Sequence, residues 1–165
     1  MRTVSNTSPI SNLAYIGRLD LLQLQFNEIW IPEVVGAELQ NVPDTAAKTA
    51  IKEAQQAGWI KSQTASNKVL IGLLMNELHA GEAEAIALAI EMKADRLLMD
   101  EREGRLMASQ AGLPVTGVLG ILLRAKKTGH LKMLKSEVDA LKNKARFFIS
   151  PDLETAVLTK AGELK

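Results

Sequence analysis

The sequence predicts an α/β fold in which a central, mostly parallel sheet is covered by helices. Three observations carry this reading. Short aliphatic or β-branched segments alternate with longer segments of helical apolar spacing, the pattern of strand–helix–strand units. The alternation runs through all 165 residues with no repeat, low-complexity tract or linker, so residues 1–165 are read as one domain. The stretch Gly81 to Glu101, GEAEAIALAIEMKADRLLMDE, joins a helix and a strand that are apolar on nearly every side, as buried layers require.

The elements follow in order. Arg2 to Ser5 reads as a first buried strand. Asn6-Thr7-Ser8-Pro9 supplies cap residues and a proline suited to a first helical turn. Ile10, Leu13, Ala14 and Ile16 then keep helical spacing up to Gly17. Leu19, Leu21, Leu22 and Leu24 predict a short helix. Glu28 to Ile31 reads as a second strand, and Pro32 opens a helix to Leu39. After a turn at Asn41 to Asp44, Thr45 to Ala57 is an alanine-rich helix stopped by Gly58. Trp59-Ile60 is a brief strand, Ser62 to Lys68 a loop, and Val69 to Leu78 a helix. The central unit places a helix from Gly81 to Lys93 before a strand at Arg96 to Met99. Helices at Glu101 to Ala111, Gly117 to Lys127, Leu131 to Leu141 and Pro151 to Leu158 follow, with a strand at Pro114 to Thr116 and a short apolar segment at Phe147 to Ile149.

Composition narrows the chemistry. Hydrophobic content of 47% and charged content of 24% describe a folded globular chain. No apolar run is long enough to span a bilayer, and no charged-then-apolar leader opens the sequence, so a cytoplasmic protein without membrane association is expected. The absence of cysteine excludes disulfides, thiol catalysis and thiolate metal sites. With His79 and His130 as the only histidines, any metal would be bound by oxygen. Net charge is +1, but Arg124, Lys126, Lys127, Lys132, Lys135, Lys142, Lys144 and Arg146 stand against only Glu137 and Asp139 in their segment. Such a segment is either the wet face of two helices or a surface for a phosphate backbone.

Four oxygen side chains from separate parts of the chain are expected to converge at the C-terminal edge of one parallel sheet. Glu82 opens the central helix and projects with Ala85, Ile86 and Ala89 toward its packed side. Helix-dipole complementation explains an acid there, but less well its inward direction. Asp100 stands where a buried strand leaves the sheet, placed either to cap the helix from Glu101 or to serve a site. Glu38 lies on the helix after Pro32, and Asn6 ends the first strand, where Asn commonly caps a helix or shapes a turn. Mutually repelling carboxylates are tolerated when a hard cation neutralises them, and Mg²⁺ or Mn²⁺ prefers all-oxygen sites.

The chain resembles the PIN-domain family, in particular a prokaryotic branch related to VapC toxins. The matching segments are SNTSPISNLAYIGRLDLL (5–22), IPEVVGAEL (31–39), GEAEAIALAIEMKADRLLMDEREGR (81–105) and GLPVTGVLGILLRAKKTGHL (112–131), with AGE at 161–163. The resemblance implies a three-layer α/β/α fold and a metal-dependent ribonuclease using Mg²⁺ or Mn²⁺. By motif position its catalytic acids fall at Asn6, Glu38, Glu82 and Asp100. The first departs from the pattern, since an asparagine replaces the usual aspartate. Asn6 offers a metal a carbonyl oxygen but no negative charge.

Thr7 and Ser8 match the small hydroxyl residues after the first acid, while Glu101 and Glu103 are extra acids beside the fourth that could adjust ion binding. Arg105 is read as structural or as a phosphate contact. Together with Thr7, Ser8, Arg124, Lys126 and Lys127 it forms the expected nucleic-acid surface. The resemblance also implies RNA as substrate, a small antitoxin as partner and a homodimer, whose face could come from Leu70 to Leu74 and Val118 to Leu123. The alternative is a catalytically inactive PIN-like domain that binds RNA or a protein. A nucleotide-binding domain is set aside, because GVLG (117–120) lacks both the strand–GxGxxG context and a following Lys-Ser or Lys-Thr.

Overall fold

A computed structural model describes residues 1–164. In chain order the elements are β1 (Thr3–Ser5), α1 (Thr7–Tyr15), α2 (Asp20–Phe26), β2 (Ile29–Ile31), α3 (Glu33–Gln40), α4 (Thr45–Gln56), β3 (Ile60–Ser62) and α5 (Lys68–Leu74). They continue with α6 (Ala80–Met92), β4 (Arg96–Leu98), α7 (Arg102–Gln110), β5 (Val115–Thr116), α8 (Val118–Lys127), α9 (Leu134–Lys144) and α10 (Pro151–Lys160). The strands form one five-stranded sheet in the order β3-β2-β1-β4-β5, and every pairing is parallel. The fold is three-layer α/β/α, as expected.

Strand alternation divides the core in two. Val4, Leu97 and Met99 pack with α5, α6 and α7 residues such as Ile71, Leu74, Ile86, Leu88 and Ala108. Ile29, Ile31, Ile60 and Leu98 pack with Ile10, Leu13, Leu22, Val35, Ile51, Ile121, Leu122 and Val138 from the helices on the opposite face. The register Val4↔Leu97 and Ser5↔Leu98 keeps these two sets apart, because a one-residue slip would exchange them. The central helix α6 is buried almost all round, from Gly81 through Ala89.

Several boundaries moved, three of them for reasons the structure shows. The brief strand runs through Ser62 rather than stopping at Ile60, because pairing of Lys61 with Trp30 and Ser62 with Ile31 recruits polar residues to an edge position. The helix expected to reach Leu78 ends at Leu74, and a turn leads from it to α6. Leu131 does not open a helix. Its amide donates to the Ala125 carbonyl in the turn that closes α8, and α9 begins at Leu134.

Chain order places the switch point of the sheet. After β1 the chain builds outward through β2 and β3, then returns to place β4 and β5 on the other side of β1. Beyond the C-terminal ends of β1 and β4, the loops diverge and leave a crevice where open parallel sheets bind ligands.

Candidate functional site

Two residues leave the sheet at that crevice, Asn6 after β1 and Asp100 just after β4. Asn6 occupies the cap position of α1, yet its side chain makes no cap bond. Its Nδ2 donates to Glu101 Oε2 at 2.8 Å, and its Oδ1 is buried with no partner. Asp100 does not cap the helix that follows it. It reaches across to α8, where Oδ1 accepts the Val118 N–H at 2.8 Å, while Oδ2 is buried and unpartnered. Burial pushes the Asp100 carboxyl up to about 6. The Val118 N–H, the Arg105 charge and the nearby Asn12 side chain oppose that rise, and the Glu101 charge adds to it.

Glu82 is both of the things its position allowed. Its Oε1 accepts the His79 N–H at 3.1 Å in a capping box at the start of α6, and the residue is only 8% exposed. Burial raises its pKa against the His79 hydrogen bond, and the Glu101 and Glu38 charges raise it further. Glu38, on the second turn of α3, is exposed and accepts the Thr7 hydroxyl on Oε2. It lies against α6 at Gly81, where a Cβ would stand 2.6 Å from Glu38 Oε1. A side chain at position 81 would push that carboxylate back from the start of α6.

Glu101 is the meeting point. Both of its oxygens are bound from the β1–α1 junction, Oε2 by Asn6 and Oε1 by the Ser8 hydroxyl. Its charge is felt by Glu82 and by Asp100 alike. Glu103, in the first turn of α7, is exposed. Among the described residues, no three Asp, Glu or His side chains stand close enough to grip an ion as they are placed. Each acid rests instead on a protein donor: Glu38 on Thr7, Glu101 on Ser8 and Asn6, Glu82 on the His79 amide and Asp100 on the Val118 amide.

Arg105 is half-buried and donates to the Met99 carbonyl at 3.1 Å. It lines a cleft of about 540 Å³ with Asp100, Thr116, Gly117, Phe147 and Phe148. A Cβ on Gly117 would fall 2.6 Å from Arg105 Nη1 and 2.7 Å from Asp100 Oδ1, so a larger residue here would displace one of those two side chains. A larger cleft, of about 640 Å³, lies away from the acids beside Tyr15, Arg18, Asp44 and Lys144.

The remaining cations do not gather there. Arg124, Lys126 and Lys127 lie toward the far end of α8, about 9–14 Å along its axis from Val118. Lys126 pairs with Glu163 at 3.3 Å, Lys135 with Asp139 and Glu154, and Lys142 with Glu154. Glu163, in the AGE motif, also accepts the Leu134 and Lys135 amides at the start of α9. Three of the eight cations of the basic segment are thus committed to ion pairs on the helix surface. The Val118–Leu123 segment contains Val118, Ile121 and Leu122, all fully buried, so it is core rather than a dimer face.

Three features were missed. The Val118 amide could not be foreseen as a partner of Asp100, because the two are joined only by the β4–β5 pairing. His79 as the cap of α6 had a local signal, the three-residue spacing to Glu82. The pair Phe147-Phe148 read only as apolar. The Arg146 backbone at φ 54 and the bond from Phe147 N–H to the Leu141 carbonyl turn Phe147 onto the core and leave Phe148 85% exposed.

Fold and crevice define a parallel α/β domain with acids gathered at its switch point. The chain belongs to the PIN-domain family: a family model described as DUF3368, PIN domain, matches residues 2–163. Comparison with curated proteins found no match, and comparison with solved structures found none either.

Proposed function

We propose that this protein is a metal-dependent endoribonuclease, the toxin of a toxin–antitoxin pair. The observation that carries the reading is the pair of buried, unpartnered oxygens, Asn6 Oδ1 and Asp100 Oδ2, at the ends of two adjacent central strands. A buried polar atom without a partner costs stability, and an all-oxygen set of this kind fits a hard divalent cation. Asn6, Glu38, Glu82, Asp100 and Glu101 would hold Mg²⁺ or Mn²⁺. Such an ion, when bound, lowers the pKa of water and stabilises charge developing on a phosphate.

The chain's own residues prepare that chemistry. The Val118 N–H fixes one oxygen of Asp100, leaving the other for the ion. The hydroxyls of Thr7 and Ser8 orient Glu38 and Glu101, and the His79 N–H orients Glu82. Arg105 stands beside Asp100 in the cleft as the cation for an RNA phosphate, with Arg124, Lys126 and Lys127 contributing a more distant field. The test is cleavage of structured RNA by purified protein with Mg²⁺ or Mn²⁺, beside an Asp100→Ala control. Cleavage lost in the control supports the reading, and cleavage unchanged in it points to a contaminant.

The family resemblance supports a small antitoxin as partner. Expression should arrest growth, and co-expression of the neighbouring reading frame should relieve the arrest. For self-association, the support is the apolar stripe of α5, where Val69 and Leu73 are 75% and 63% exposed. No helix among the described residues is long and apolar enough to cross a membrane.

Asn6 favours a second reading, an inactive PIN domain that binds RNA or a protein without cutting. In that case Asn6→Asp alone should tighten Mn²⁺ binding and switch on cleavage. An intact Asn6→Asp protein that gains neither would count against Asn6 as the defect.

A further inference from the structure

We propose that Glu101 supplies the negative charge that Asn6 withholds from the cation site, so that Asn6 and Glu101 act as a matched pair. The inference rests on reading the crevice as a cation site and deepens it.

Glu101 sits at the cap position of α7, where an acid would ordinarily bind the first amides of its own helix. It makes no such bond. Its side chain reaches the β1–α1 junction instead, where Asn6 Nδ2 and the Ser8 hydroxyl hold its two oxygens. Residues 93 and 95 positions away in sequence therefore fix a carboxylate at the end of the first strand. That is where position 6 would have placed its own charge had it been an acid.

Asn6 fits this pairing and aspartate does not. The amide is 3% exposed, and with Nδ2 committed to Glu101 its Oδ1 remains as a buried acceptor without a donor. An aspartate there would replace a hydrogen bond with two facing carboxylates, which repel unless an ion lies between them. The exchange also preserves the charge of the crevice. Glu38, Glu82, Asp100 and Glu101 supply four carboxylates to it beside the neutral Asn6, and Glu101 is the one whose charge both Glu82 and Asp100 feel.

The test is Mn²⁺ binding to the full chain, measured by calorimetry and by the loss of the free-ion paramagnetic resonance signal. The proteins are the parent, Glu101→Gln, Asn6→Asp and the Asn6→Asp/Glu101→Gln double variant, with melting curves to establish that each is folded. Glu101→Gln keeps the shape and the acceptor for Ser8, and should weaken Mn²⁺ binding about 10–100-fold. The double variant moves the charge to position 6 and should recover most of that loss. Asn6→Asp alone should melt below the parent without metal and regain the difference with it.

Glu101→Gln binding Mn²⁺ like the parent would overturn the inference, as would a double variant no better than Glu101→Gln. Should Glu101→Gln fail to fold, Ser8→Ala, which frees one oxygen of Glu101, should weaken binding several-fold, and no change there would also overturn it. A parent that binds no Mn²⁺ would overturn the cation-site reading itself. Binding without RNA cleavage would sink the nuclease reading and leave this pairing standing.

Discussion

Asp100 Oδ1 accepts the backbone N–H of Val118 at 2.8 Å, a bond that ties the end of β4 to the start of α8. The same carboxylate keeps Oδ2 buried and unpartnered. One side chain therefore both binds the first amide of a distant helix and leaves a buried oxygen free in the acidic crevice. Its two oxygens should respond differently to substitution.

The first consequence is a pH dependence. In the folded chain Asp100 holds its proton up to about 6, well above its ordinary 3.8. The folded state then binds more protons than the unfolded one between those values, so stability falls as pH rises through this window. Glu82, also raised by burial, acts with the same sign. Asp100→Asn keeps an acceptor for Val118 and removes the charge. Without metal near neutral pH it should gain on the order of 1–3 kcal/mol, seen as a melting temperature several degrees higher. Near pH 4 the gain should shrink toward zero. Mn²⁺ should stabilise the parent progressively less below about pH 6, as protons compete for the same oxygens.

Gly117→Ala tests the contact of Arg105 with Asp100. The new methyl would meet Arg105 Nη1 and Asp100 Oδ1, and the second cannot move without loosening its bond to Val118. Overpacking of this kind costs about 1–3 kcal/mol. Urea denaturation should show that loss, and Mn²⁺ affinity should fall with it. Affinity unchanged at reduced stability would mean that Asp100 does not reach the ion.

At the opposite end of α8, Glu163 binds Lys126 and caps α9. Glu163→Ala should destabilise by about 1–2 kcal/mol through the lost cap, with Mn²⁺ binding unaltered. Lys126→Ala should cost less than about 1 kcal/mol, since its ion pair is partly solvated. If Arg124 and Lys127 touch RNA phosphates, replacing either with alanine should lower the salt slope of RNA binding by about 0.7–0.9. An unchanged slope would confine RNA recognition to the neighbourhood of Arg105.

Val69 and Leu73 lie one turn apart on α5 and expose a continuous apolar strip. A Val69→Asp/Leu73→Glu variant should elute as a monomer if that strip is the dimer face, with its melting temperature within a few degrees of the parent. A parent that is itself monomeric at every concentration would remove self-association from the proposed function.

Sequence by itself determined the layered α/β architecture, the burial of α6, the inward direction of Glu82 and the placing of Asn6 and Asp100 at strand ends. All of these follow from local periodicity and from the fixed polarity of a parallel sheet, which brings helix starts and strand ends to one edge. Tertiary structure alone decided what those side chains touch. Asp100 binds the first amide of α8 instead of capping α7, because β4 and β5 pair side by side and present the Val118 amide to it. Asn6 caps nothing, because the Glu101 carboxylate, 95 residues away in sequence, takes its amide. Val118, Ile121 and Leu122 belong to the core, and the exposed aliphatic strip is on α5. Helical spacing marks an apolar face without saying what covers it, and a carboxylate's partners are set by whichever donors the folded chain brings within about 3 Å.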